Sequence, residues 1–237
     1  MKEQEQYPFL FIPCYVCNLS SCWEKVLYLG EKKILKKNDI FSLGQKKDCF
    51  SYIQSGLTCC YVHEEIDQKD EIRFFIGEKC LIKETFVSAN YGEFHTYHKC
   101  LSDVVIYHFS KDLLSDPSFM HHHYDLIQNY IFSISAKSVS AQLFASLIKT
   151  KSNIQKLAIY LYGFYLLNNK KLAFQPPLTQ VQLAELLGLS NLTVNRIIGK
   201  WKQDGIISCY TKNRLEIIDI DRIRDIRAGS DTPCAVE

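Results

Sequence analysis

The stretch from Thr179 to Gly199 constrains the fold of this chain more than any other. Thr179 can cap a helix, and Gln182, three residues on, completes a capping box. Leu183, Leu186 and Leu187 then form an inner face, with Ala184 small where a second helix must cross closely. Gly188 supplies a turn of positive φ, and Ser190 can cap the helix that follows. In that helix Val194, Ile197, Ile198 and Trp201 recur at i, i+3, i+4 and i+7, so they face inward. Two short helices across a glycine turn predict a helix-turn-helix.

The outward side of the second helix carries different chemistry. At 100° per residue from Val194, Leu192 and Arg196 fall at roughly 160° and 200°, opposite the core. Thr193, Asn195, Gly199 and Lys200 flank them. Such a face suits the edges of bases: Arg pairs with guanine, Asn with adenine, and a short apolar chain with the thymine methyl. Ile206–Tyr210 and Leu215–Ile218 then enclose a turn at Lys212-Asn213, which predicts a β-hairpin wing with Lys212 and Arg214 near phosphate. The expected partner is double-stranded DNA. Arg196 would read a guanine, and Asn191 and Asn195 neighbouring bases. Thr179 and Gln180 would touch the backbone, with Ser190, Leu192, Thr193 and Lys200 completing the surface.

Charge makes this a local matter. The 237 residues hold 28 Lys and Arg against 26 Asp and Glu, a net +2, so no global field attracts a polyanion. Apolar types at 47% and charged types at 23% exclude wholesale disorder and fibrous repeats. No signal sequence opens the chain, and the apolar runs at Phe9–Ile12 and Leu157–Leu167 are too short to span a bilayer. The expectation is a cytoplasmic protein, free of membrane, whose ten cysteines are mostly reduced. The terminal Cys234-Ala-Val-Glu237 only mimics a prenylation box, since Glu is wrong in last place.

Upstream the texture changes twice. From Ile34 to Ser110, short apolar stretches alternate with turn residues, which predicts an all-β barrel or roll, with a hairpin loop at Asp67–Asp70. Asp116 and Pro117 then open one long helix to about Ile148. Ile127, Ile131, Ile134, Ser138, Ala141, Ala145 and Ile148 form a heptad seam, beside a stripe of Phe132, Ala136, Val139 and Leu143. One stripe would pack on the chain's own β domain and the other on a second copy, giving a parallel homodimer. The expected division is a sensory β-roll over 1–111, a dimerisation helix over 112–150, a winged helix-turn-helix over 151–228 and a loose tail over 229–237. The fold class is α+β.

In this order, these elements resemble the Crp/Fnr regulators, the cyclic-AMP receptor and fumarate-nitrate-reduction family. The resemblance covers Ile34 to Ile226, with Tyr52-Ile-Gln-Ser-Gly56 similar to its strand-turn motif and Gln180–Ile198 to its helix-turn-helix. It implies a cyclic-nucleotide-binding-like jelly roll, a homodimer on a palindromic operator, no catalysis, and RNA polymerase as a partner if the protein activates. Many relatives carry Glu where this chain has Leu192. Leu cannot accept from cytosine, so the preference for G·C relaxes there, and the family's dehalogenation regulators also have an apolar residue at this place.

The signal is read from further departures. The family grips a cyclic phosphate with Gly-Glu and, about ten residues on, Arg-Ser. Here Lys83 precedes Glu84, and Phe94 stands at the Arg position, which argues against cyclic AMP. A small organic effector against Phe86, Tyr91, Phe94 and Tyr130, with Lys83 and Glu84 nearby, is the expectation at the roll–helix junction. Cys14, Cys17 and Cys22, with Cys100 as a fourth, loosely resemble the iron–sulfur ligands of the oxygen-sensing branch. A cluster, a redox disulfide and ordinary thiols all remain open readings. His121–His123 read as solvated helix surface, because neighbouring residues point 100° apart.

Overall fold

The computed structural model describes residues 12–42, 49–64, 69–82 and 94–230, with backbone only at positions 64, 69, 94 and 95. They fall into two compact units, residues 14–141 and a C-terminal unit from 142 that also takes in residues 12 and 13.

The first unit holds β1 (Tyr15–Val16), β2 (Glu31–Leu35), β3 (Ile40–Phe41), β4 (Cys49–Ser55), β5 (Thr58–Glu64), β6 (Lys69–Ile76), β7 (Cys80–Ile82), β8 (Phe94–Cys100) and β9 (Val104–Ser110). One sheet runs β1-β6-β5-β8-β3 and the other β2-β9-β4-β7. All pairs are antiparallel except β1 with β6. Gly56 turns β4 into β5 at φ +98°, where a Cβ would collide with the Asp103 carbonyl. Of the hairpin loop expected at Asp67–Asp70, Lys69 and Asp70 are already strand residues, paired with Glu64 and His63 in the ladder.

What precedes the roll carries no pattern that local spacing reveals. Tyr15–Val16 adds a parallel edge strand, and a 3-10 helix over Ser21–Leu29 delivers Trp23 to the core. Trp23 lies edge-on to Phe50 at 5.2 Å and Phe109 at 5.7 Å, with Phe119 and Tyr130 completing the cluster. Its indole N–H donates to Asn129 Oδ1 at 3.1 Å, so no polar atom of the ring is left unsatisfied.

The predicted long helix is two. Asp116 caps α1 (Pro117–His122), and α2 (Tyr124–Thr150) follows a break at His123 (φ −130°, ψ 40°). The break lets Phe119 enter the aromatic cluster from α1 while Leu126 and Tyr130 enter it from α2. The side packed on the roll takes members from both predicted stripes, Ile127 and Ile134 from one and Ala136 from the other, and coincides with neither. Its centre is Leu126, Tyr130, Ser133, Ala136 and Ser140, all buried, and the Cys14 N–H donates to Ser140 Oγ at 2.9 Å. Ile131, Val139 and Leu143 stay exposed, Ile131 at 60%. By length and composition α2 could cross a membrane, but its buried side is spent on protein.

The C-terminal unit comprises α3 (Asn153–Leu167), β10 (Ala173–Phe174), α4 (Gln180–Leu187), α5 (Asn191–Gln203), β11 (Ile207–Tyr210), β12 (Leu215–Ile217) and α6 (Ile220–Ala228). Ser152 and Gln155 form a reciprocal capping box on α3. Two elements were not anticipated. β10 pairs with β12 and extends the wing to three strands, in the order β10-β12-β11. α6 packs along α3, with the Arg227 guanidinium 4.2 Å from the Tyr162 ring centroid.

Candidate nucleic-acid interface

The helix-turn-helix forms at the predicted residues for the predicted reasons. Thr179 Oγ1 accepts from the Gln182 N–H at 3.3 Å, and Gln182 Oε1 accepts from the Thr179 N–H at 2.8 Å. Gly188 ends α4 in the left-handed region at φ +64°. A Cβ there would meet nothing within 4 Å, so the backbone angle, not space, calls for glycine. Ser190 Oγ caps α5 by accepting from the Thr193 N–H at 3.0 Å. Leu183, Ala184, Leu186 and Leu187 of α4 meet Val194, Ile197, Ile198 and Trp201 of α5, and all eight are buried.

That burial fixes what α5 shows to solvent. Asn191, Leu192, Asn195 and Arg196 are exposed, Leu192 at 68%, and Thr193, Gly199 and Lys200 are half-buried beside them. A strongly exposed leucine on a polar helix face is poorly explained by folding within the chain. Lys200 leans back to Asp204 at 3.2 Å, one turn on.

The wing is more tightly organised than its sequence suggested. Thr211 Oγ1 accepts from the Arg214 N–H at 3.0 Å and orders the turn. Arg214 reaches Glu216 at 3.2 Å. A hydrogen bond from Ser208, then Arg214, holds the Glu216 carboxyl below its usual range. Lys212, at the tip, makes no ion pair among the described residues. The Gln180 amide, expected on a DNA backbone, donates instead to the Tyr210 carbonyl at the base of the wing. Thr179 is likewise occupied by its cap.

The sequence from 155 to 226 matches the profile of the Crp-like helix-turn-helix domain. Comparison with curated protein sequences gives no significant match. Among solved structures, a Cys-to-Ser variant of CprK complexed with OCPA superposes with a TM-score of 0.75 at 14% identity, over 91% of this chain and 97% of CprK. A CooA double mutant from Carboxydothermus hydrogenoformans gives 0.72 at 13% identity, over 89% and 96%. A transcriptional regulator of the CRP/FNR family from Thermus thermophilus gives 0.62 at 16% identity, over 85% and 100%. The chain therefore has the Crp/Fnr fold from its β-roll to the end of its Crp-like domain.

Outside that domain the expected sites fare less evenly. Lys83, Glu84, Phe86 and Tyr91 lie outside the described residues, and Phe94 is placed only as the first residue of β8, opposite Glu64. Tyr130 belongs to the aromatic core, 5.3 Å from Phe50, and is 5% exposed. Lys137 was not anticipated. Its ammonium group donates to the Leu81 carbonyl, two residues before Lys83. Its charge also pulls down the Cys60 thiol, although burial outweighs this and pushes Cys60 up to about 11. A lone lysine between Ala136 and Ser138 on an apolar helix was the available signal.

The iron–sulfur reading needs correction. Cys14 and Cys17 flank β1, Cys22 sits in the 3-10 helix, and Cys100 ends β8, where its N–H donates to the Asp39 carbonyl at 2.9 Å. Among the described residues no three His, Cys, Asp or Glu side chains converge on one metal position. Burial pushes the Cys14 thiol up to about 12 and those of Cys17 and Cys100 up to about 11. The residues do not fit the group. No disulfide is formed among the described cysteines either. His121 and His122 lie on exposed helix surface, whereas His123 is half-buried against Phe119.

Proposed function

We propose that this protein is a non-catalytic, sequence-specific transcription regulator of the Crp/Fnr type, acting as a homodimer on palindromic DNA. The observation that carries the reading is the division of α5. Its apolar side is consumed by α4, while Arg196, Asn195, Asn191 and Leu192 are left on a solvent face. These types match the major-groove code, and Leu192 relaxes the requirement for a G·C pair opposite it. Lys212 and Arg214 on the wing meet phosphate, which positions α5 without reading sequence.

The exposed Ile131, Val139 and Leu143 of α2 support pairing with a second copy. A parallel pair places two recognition helices about one turn of DNA apart. The signal is a small organic effector, not a cyclic nucleotide, since Phe94 replaces the phosphate-gripping Arg. The similarly folded CprK in complex with OCPA supports an organic ligand, and Lys137 gives this junction a cation that suits an anionic one. Effector binding shifts a pre-existing equilibrium between two pairings of α2. The site of action is the cytoplasm, away from the membrane, with RNA polymerase as the partner if the outcome is activation.

Selection from a randomised duplex pool by the purified full-length protein, with and without candidate phenolic acids, tests this. The expected product is an inverted repeat. A pool that stays random under all conditions refutes it.

A further inference from the structure

The wing of a winged helix is useful only if its tip is held still relative to the recognition helix. Here two hydrogen bonds perform that task, and both involve Tyr210. Its hydroxyl donates to the Leu178 carbonyl at 2.9 Å, just before α4, and the ring is 2% exposed. Its own carbonyl accepts from the Gln180 side-chain amide, in the first turn of α4. Tyr210 is the last residue of β11, directly before the turn that carries Lys212. The N-terminus of α4 and the root of the wing are therefore stapled at adjacent positions. The capping of α4 does not need Gln180, because Thr179 and Gln182 complete that box between themselves.

We propose that Gln180 is a positioning residue for the wing, placing the Lys212 ammonium against DNA phosphate without touching DNA itself. This rests on the DNA-binding reading above. It assigns Gln180 a role opposite to the simplest expectation, in which its amide would donate directly to a phosphate. Salt dependence separates the two. A neutral amide on a phosphate adds nothing to the counterions released on binding, whereas a lysine contact adds about one. If Gln180 acts through Lys212, deleting an uncharged side chain changes a quantity that counts charges.

The test uses the full-length protein and a duplex that the wild type has selected from a randomised pool, titrated between about 50 and 200 mM salt. Gln180→Met keeps length and packing but cannot donate. Lys212→Ala removes one phosphate contact per subunit and two per dimer. The slope of log affinity against log salt then becomes shallower by about 1.8, so the affinity lost over this range shrinks about 12-fold. Gln180→Met is expected to give most of that change, and the double variant no more than Lys212→Ala alone. Base preference within the duplex stays as in the wild type. Tyr210→Phe, which cuts the second bond, moves the slope in the same direction and stands in if Gln180→Met lowers folded yield.

A slope unmoved by Gln180→Met, whether or not affinity falls, overturns the inference, as does a slope unmoved by Lys212→Ala. In both cases the wild type's selected duplex leaves the DNA-binding reading intact. Failure of the wild type to select any duplex removes that reading and this inference together.

Discussion

Replacing Arg196 by Ala separates folding from recognition, because neighbouring residues of α5 have opposite duties. Arg196 lies on the exposed face, whereas Ile197, one residue on, is 4% exposed in the interface with α4. A bidentate Arg–guanine contact discriminates by about 1–3 kcal/mol. Two such contacts in a symmetric dimer give about 2–6 kcal/mol, or roughly 30-fold to roughly 20,000-fold in affinity for the full site. The loss is bounded below by non-specific binding, which phosphate contacts sustain. Stability should change by less than about 1 kcal/mol, as for most surface substitutions. Ile197→Ala should behave in reverse, costing about 2–5 kcal/mol of stability through lost burial and a cavity. The assay is a competition titration of both variants against duplexes carrying each single base-pair change, alongside urea unfolding. For Arg196→Ala, one symmetric pair of positions should stop mattering while the others keep their effects. An Arg196→Ala variant that binds the full site as tightly as wild type, or still discriminates at every position, would falsify the assignment of this face.

Other expectations follow from single residues. Gly199 sits inside α5 where a Cβ would meet nothing within 4 Å, so Gly199→Ala should raise stability by about 1 kcal/mol in urea unfolding; a loss would mean that this turn of helix is strained in some other way. Ile131→Asp, on the exposed side of α2, should shift sedimentation towards monomer and weaken operator binding. A dimer that survives the substitution removes α2 as the seam. Buried cysteines predict pH dependence. Cys14 is raised to about 12 and Cys17 to about 11, while the unfolded chain ionises near its ordinary value of 9.0. Their contribution is thus fully present below pH 9 and lost as pH rises to about 12, so stability should fall across that window. At pH 8 native Cys14 should alkylate about 1000-fold more slowly than an ordinary thiol, read by mass spectrometry of modified peptides.

What could be read from the sequence was whatever local chemistry decides. The caps at Thr179, Ser190 and Asp116, the turn at Gly188 and the buried face of α5 depend on neighbours within four residues, and they stand where the spacing placed them. The break at His123 was not legible, because it serves contacts of Phe119 with Trp23, nearly a hundred positions away in the chain. Which stripe of α2 meets the roll was equally hidden. Ser133 and Ser140 look like solvent positions until a partner such as the Cys14 N–H is in place. Cysteine spacing misled for a related reason. Cys14, Cys17 and Cys22 are close in sequence, but a strand edge and a 3-10 helix part them. Gln180 differs again, since its type suits either a phosphate or a backbone carbonyl and only the fold brings Tyr210 beside it.

Guanine-N7 methylation interference on a selected duplex examines the central claim, that α5 of each subunit reads the major groove. The account predicts two symmetric sets of interfering guanines in successive major grooves, roughly 34–36 Å apart, with the set opposite Arg196 absent in Arg196→Ala. Binding that is indifferent to N7 methylation, or confined to a single half-site, would contradict it.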